Sequence, residues 1–287
     1  MKKLVFLGLV LGGLIASAEP GGLFSGATQS AVVLSDVLSG VKPGSVVIIG
    51  ENHGLRTHQT QQMVILQMLD YLGLNVSVGL EFFSYPDQAL MNFYRAGQLS
   101  EPDFLKATSW GSIDFSYYRD QVKFPNGKTG GMTVALNSPR TLTGKIAKTG
   151  LESLTEEENN LLPPHFTVGR DSYRTRFIEN VPHQMPEQAM SRLFTAQSVW
   201  DDTMAWKAKE YLNAHPNQVL VIIVGEFHVQ YGGGLPDRLR ARGVNSILTF
   251  SQVDTRGLSD NDLSQLIAPS PRDGVRADYL WLAPAQE

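Results

Sequence analysis

The chain reads as an α/β protein: a parallel-sheet domain with helices on both faces, plus a smaller all-helical subdomain inserted before the last strands. Three observations predict this. Ser45-Val-Val-Ile-Ile-Gly-Glu-Asn-His53 and Val219-Leu-Val-Ile-Ile-Val-Gly-Glu-Phe-His228 are continuous apolar runs that stop at a glycine. Such runs mark strands buried on both faces of a parallel sheet, where no polar alternation survives. Segments of helical period separate these runs from further ones, and residues 151–216 carry helical patterns with no strand among them.

Taken in order, residues 19–44 form a loosely patterned lead-in with a short helix over Ser30 to Leu38. The strand from Val46 is followed by a helix from about Arg56 to Leu72, whose Val64, Leu66, Met68, Leu69 and Leu72 face the sheet. Val76-Ser-Val-Gly-Leu80 is the next strand and ends directly in Glu81. Helical pattern resumes at Pro86 and stops at Gly97. A second short helix starts at Ser100-Glu-Pro-Asp103, where serine caps and proline suits the first turn. Residues 110–118 are aromatic, and Met132-Thr-Val-Ala-Leu136 is a third buried strand leading into Asn137-Ser-Pro-Arg140 and a helix that stops at Gly150.

The helical insertion, about 151–216, begins with Glu156 to Glu158, is interrupted by Pro163-Pro164, and ends in a long helix from Pro186 to Ala214. Leu193, Ala196, Trp200, Met204, Ala208 and Tyr211 form the apolar stripe of that helix. Strand pattern returns at Val219 to Val224 and at Ser246 to Phe250, with a helix at Pro236 to Arg242 between them. The tail after Asp254 is polar and irregular, with Tyr279-Leu-Trp-Leu282 as an edge-strand candidate.

Composition sets bounds on what the chain does. With 287 residues, 42% hydrophobic and 18% charged, it buries a substantial core. A formal charge of −4 and the lack of any basic run exclude a nucleic-acid surface. Lys2 and Lys3 before an apolar run to Ile15, then Ala16-Ser-Ala18, read as a secretory signal peptide over residues 1–18, cleaved near Ala18. The apolar run is too short to span a bilayer, so no stable membrane anchor is expected. The expected location is secreted or periplasmic. No cysteine occurs, so the exported chain stands without disulfides.

The chemistry lies where the strands stop. Glu51 and His53 follow one strand, Glu81 a second, Asn137 a third, Glu226 and His228 a fourth. Neighbouring strand ends lie about 4.8 Å apart, so these side chains converge on one crevice of the kind that open parallel sheets use for ligands. His53, Glu81 and His228 offer a mixed nitrogen and oxygen set suited to manganese, iron, cobalt or zinc. In a hydrolase Glu51 or Glu226 would act as general base, with Asn137 or Arg140 stabilising the oxyanion. The plainer reading makes each histidine a capping residue and Glu81 an acceptor for backbone N–H groups. His58 points either into the crevice or to the surface, and His165, His183 and His215 read as surface residues.

The paired Gly-x-x-His motifs at Gly50 to His53 and Gly225 to His228, with Glu81 between them, resemble the Tiki/TraB/erythromycin-esterase-type superfamily. Gly79-Leu-Glu-Phe-Phe83, Asn137-Ser-Pro-Arg140, Ala196-Gln-Ser-Val-Trp-Asp-Asp-Thr-Met-Ala205 and His228-Val-Gln-Tyr-Gly-Gly-Gly-Leu-Pro236 narrow the resemblance to its ChaN-like haem-binding branch, from about Gly44 to Arg242. The resemblance implies export to the cell envelope, haem as ligand, a part in iron uptake, tyrosine ligation and pairing of subunits into a homodimer. Members tend to be lipoproteins, and this chain lacks the lipid-accepting cysteine. Tyr231, three residues past His228, is the expected axial ligand, with Tyr117 and Tyr118 as weaker candidates. His228 would hydrogen-bond to the phenolate, and Arg140 and Arg56 would meet the propionates. A metal-dependent hydrolase, peptidase or esterase, is the alternative.

Overall fold

The computed structural model describes residues 21–181 and 185–283. The expected leader with its cleavage point, and His183, lie outside them. Seven strands form one sheet: β1 (Leu23–Ser25), β2 (Val46–Glu51), β3 (Asn75–Ser84), β4 (Thr133–Asn137), β5 (Gln218–Gly225), β6 (Ile247–Asp254) and β7 (Tyr279–Ala283), in the order β1-β7-β6-β2-β5-β3-β4. All neighbours run parallel except β1 against β7.

Eleven α-helices, besides six 3-10 turns, occur among the described residues: α1 (Leu34–Leu38), α2 (Arg56–Tyr71), α3 (Gln88–Arg95), α4 (Glu101–Ala107), α5 (Arg119–Lys123), α6 (Arg140–Thr149), α7 (Glu156–Asn159), α8 (Asp171–Glu179), α9 (Glu187–Ala214), α10 (Leu235–Ala241) and α11 (Asp260–Ile267). Among the described residues none is long and apolar enough to cross a membrane.

The continuous apolar runs are explained by the two layers they separate. Val47, Ile49, Val219, Val221 and Ile223 point to one face, where Ile65, Leu66 and Leu69 of α2 cover them. Val46, Ile48, Leu220, Ile222 and Val224 point to the other, under Met204 and Ala208 of α9 and Leu235 and Leu239 of α10. Each fully buried aliphatic side chain contributes roughly 1.5–3 kcal/mol, so strands covered on both faces anchor the centre of the sheet. The stripe on α9 divides along its length. Met204, Ala208 and Tyr211 pack on the sheet, whereas Leu193 and Trp200, half-buried, border a cavity.

The structure corrects several expectations. β3 does not stop at Glu81. It runs on to Ser84, with its register against β4 shifting between Leu80 and Ser84, so Glu81 sits inside the strand at an irregularity. β7 is not an edge strand, because β1 from the lead-in pairs outside it. The tail carries α11, started by a capping box in which Ser259 and Asp262 exchange side-chain-to-backbone bonds. α8 was not foreseen, and α1 is confined to Leu34–Leu38.

Candidate functional site

Strands β2, β5, β3 and β4 are consecutive neighbours, so their ends do converge. Register pairs Glu51 of β2 with Gly225 of β5. The two glycines of the repeated motif serve each other's partners. A Cβ on Gly225 would lie 3.2 Å from the His53 ring and 3.4 Å from a Glu81 oxygen, and one on Gly50 would collide with the Glu226 carboxylate. The glycines are needed because side chains from the adjacent strand end occupy that space.

On this frame stands a chain of alternating carboxylates and imidazoles. His53 Nδ1 lies 2.9 Å from Glu51 Oε1, and His53 Nε2 lies 3.0 Å from Glu81 Oε1. Glu81 Oε2 faces His228 Nε2 at 3.5 Å, and His228 Nδ1 lies 2.7 Å from Asp201 Oδ1 on α9. Beyond Asp201, its second oxygen accepts from the Tyr173 hydroxyl at 2.9 Å, and Gln197 donates to that hydroxyl at 2.9 Å.

The electrostatics follow from burial set against pairing. Burial alone would lower His53, yet its bonds to Glu51 and Glu81 hold its pKa raised to about 10. Burial likewise opposes the charge on His228, but the Asp201 and Glu81 carboxylates win and hold it above its ordinary value. Burial would raise Glu81, and the two imidazoles outweigh it and bring it down. Each imidazole thus lies between two carboxylates that favour its charged form, while burial raises the Asp201 carboxyl.

Glu51 is buried and saturated: besides His53, it accepts from the Tyr118 hydroxyl at 2.5 Å, Gln59 at 2.9 Å and Gln62 at 2.5 Å. Glu226 is also buried; one oxygen accepts from Ser251 at 2.5 Å and from Arg276 at 3.0 Å, and burial pushes its pKa up. Both Glu51 oxygens are thus engaged, whereas the second Glu226 oxygen is buried with no hydrogen-bond partner among the described residues. Among the described residues no group of three or more His, Asp or Glu side chains is arranged to hold a metal ion, since each imidazole nitrogen faces a carboxylate instead. The expectation of a divalent metal on His53, Glu81 and His228 thus finds no support in the geometry.

The remaining candidates fall in different places. Asn137 donates to the Glu81 carbonyl at 2.8 Å and lines the cavity with Arg140. Tyr118 is fully buried, its ring 4.4 Å from Phe82, and burial followed by the Glu51 charge holds its phenol far above the ordinary value. It packs and orients Glu51 and does not line the cavity. Tyr117 is half-buried beneath the Arg56 guanidinium, 4.3 Å from its centroid, which removes Arg56 from the strand-end crevice.

Tyr231 stands apart from the cavity. Its backbone is left-handed (φ 57°), its N–H donates to the Arg276 carbonyl at 2.7 Å, and its carbonyl accepts from Arg170 at 2.7 Å. The Arg176 guanidinium lies 4.9 Å over the ring, and the hydroxyl has no hydrogen-bond partner among the described residues. The expected bond from His228 is absent, because Asp201, Glu81 and Gln197 surround that imidazole. His58 is neither in the crevice nor at the surface. It is buried, its Nδ1 accepts from the Asn52 N–H at 3.0 Å, and burial lowers its pKa to about 4.

Asp201, Gln197 and Tyr173 escaped the sequence reading. The available signal was an Asp-Asp pair in an otherwise apolar and small-residue stretch of a long helix, where aspartate has poor propensity and no solvent face to occupy. Above the site lies a cavity of about 580 Å³, bounded by α6, α9, Phe177 of α8, Phe82, Ile113 and the imidazole pair.

The profile of a family described as haem-binding uptake, Tiki superfamily, ChaN, matches residues 37–239. No curated protein matches the chain. A solved structure of ChaN from Campylobacter jejuni, described as showing cofacial haem binding, superposes with a TM-score of 0.62 at 16% identity, over 92% of this chain and 97% of that one. An erythromycin esterase, EreC with an H289N substitution, gives 0.48 at 11% identity over 81% and 77% of the two chains. The type III effector HopBA1 gives 0.47 at 12% identity over 88% and 94%.

Proposed function

The chain belongs to the ChaN haem-binding uptake family of the Tiki superfamily, and from that premise we propose that it is an exported haem-binding protein in which Tyr231 supplies the axial ligand. The observation that carries this reading is the setting of Tyr231. A non-glycine residue held in the left-handed region at a cost of order 1 kcal/mol, pinned at both its N–H and its carbonyl, presents a phenol with no hydrogen-bond partner among the described residues. Haem bound there would supply a ferric iron suited to a phenolate ligand. Arg170, exposed and donating to the Tyr231 carbonyl, offers a charge-assisted partner to a propionate carboxylate, while the buried Arg176 covers the ring. In this reading Arg170 takes the role expected of Arg140 and Arg56.

Tyr231 does not line the cavity, so a macrocycle on it would keep one face open. A second copy of the chain would cover that face, and we read the working unit as a homodimer. The C. jejuni protein binds haem cofacially, which accords with such pairing. The basic start, apolar run and Ala16-Ser-Ala18 support removal of residues 1–18 on export, and the helices between β4 and β5 support a helical insertion over about 151–216.

The test is a haem titration of the mature protein followed in the Soret region, with metal content measured on the same sample. Saturable binding with a tyrosinate-type spectrum, weakened at least roughly tenfold by Tyr231→Phe, is the expected result. Haem affinity indifferent to that substitution would sink the ligand assignment. No haem binding, with a stoichiometric transition metal present, would favour the metal-dependent hydrolase instead.

A further inference from the structure

We propose that the cavity between α6, α9 and the strand ends is a second ligand site, separate from Tyr231, that binds an amphipathic carboxylate: a medium-sized apolar body with one anionic head held by Arg140. Its volume of about 580 Å³ is in the range of small-molecule sites, and Phe82, Ile113, Phe177, Leu193 and Trp200 make its walls apolar. Phe82 is held rigid, edge-on to His53 with centroids 5.0 Å apart and packed on Trp110 at 5.5 Å.

The charge on these walls selects the head group. His53, Glu81 and His228 at the floor are already paired within their own chain of carboxylates and imidazoles. Arg140 is different: it lines the cavity, is exposed, and forms no ion pair among the described residues. Apolar walls with one uncommitted guanidinium match a carboxylate on an apolar body.

Gly144 gives independent support. It lies inside α6 on the cavity wall, and a Cβ added there would meet nothing within 4 Å. Its φ is not positive, so no turn requires it. Glycine in a helix interior costs about 1 kcal/mol relative to alanine, and here neither packing nor backbone geometry explains that cost. The room it leaves in the cavity does.

The site is distinct from the haem proposal because Tyr231 is not part of its lining. Phe177 borders the cavity and packs on Phe227, with centroids 6.1 Å apart; Arg176 lies 5.5 Å over Phe227 and extends over Tyr231 on the far side.

Isothermal titration of the full mature chain with decanoate tests this, with decanol as the uncharged control. One saturable decanoate site is expected, with decanol and the Arg140→Gln variant each at least roughly tenfold weaker. Gly144→Phe should abolish decanoate binding with an unchanged or higher Tm, since it fills open space and improves the helix. Tyr231→Phe should leave decanoate binding intact, and Gly144→Phe should leave the haem titration intact. Absence of saturable binding, equal binding of decanol, or full binding by a folded Gly144→Phe would overturn the proposal. Loss of haem binding in Gly144→Phe would do so too, by making the cavity the haem slot. Failure of the Tyr231 assignment alone would leave the decanoate results standing.

Discussion

Asp201 on α9 holds His228 at the end of β5 through a 2.7 Å contact between Oδ1 and Nδ1, with both residues buried. This contact ties the helical insertion to the sheet at the site itself. Asp201→Ala would leave a buried imidazole without its main counter-charge and should cost roughly 3 kcal/mol. The His228 pKa should fall as well. Urea unfolding and histidine NMR titration measure the two effects, and wild-type stability together with an unmoved His228 would show the contact to be inert.

The tyrosines should separate by role. Tyr118→Phe removes a hydroxyl that donates to the buried Glu51 carboxylate, so it should lower stability by roughly 1.5–3 kcal/mol and leave haem affinity unchanged. Tyr231→Phe should do the reverse, sparing stability and weakening haem. Denaturation and Soret titration on both variants give four readings, and the opposite pairing would exchange the assignments.

Acid sensitivity should come from His58. Its folded pKa, lowered by burial to about 4, is below its unfolded value of 6.5, so the unfolded chain takes up protons first. The stability from a neutral His58 is full above pH 6.5 and is lost as pH falls towards 4, by an amount on the order of 3 kcal/mol. His53 has the opposite sign. With a folded pKa near 10, its contribution is complete below pH 6.5 and is lost as pH rises through 10. Glu81, lowered from 4.5, contributes above that value and loses its part only at lower pH, whereas Glu226 and Asp201, raised by burial, act against His58 above pH 4.5, so the comparison with a His58 variant is what isolates it. His58→Gln should flatten the profile there; an unchanged slope would refute this origin.

Gly50→Ala should be more harmful than most glycine-to-alanine changes in a strand. The new Cβ would press on the Glu226 carboxylate, which Ser251 and Arg276 hold in place, at a cost of roughly 1–3 kcal/mol. Chemical denaturation measures it, and a neutral or stabilising result would mean that Glu226 has room to move.

Much of this was legible in the chain because strands covered on both faces leave uninterrupted apolar runs. The ends of those runs locate Glu51, His53, Glu81, Glu226 and His228. Roles were less legible than positions. Glu51 reads as a candidate base from its place after a strand, and only its four donors reveal an orienting carboxylate. Asp201 was hidden because it sits on a helix far along the chain, and helical period alone does not tell an inward acid from a solvated one. β1 and α11 were missed for a simpler reason: three residues, and a polar stretch started by a capping box, carry little hydrophobic pattern to read.

The strand order has a consequence for how the molecule is made. β2 hydrogen-bonds only to β5 and β6, both of which emerge from the ribosome after α9. Until then its Val46 to Ile49 run is an unpaired apolar edge, exposed to mispairing. Long-range parallel pairing of this kind folds slowly. The imidazole and carboxylate chain needs β5 for His228 and β2 for His53, so the site closes in the same late step that seals the edge. A nascent chain short of β5 has no complete site, and a fragment that ends there should aggregate before it can bind a ligand.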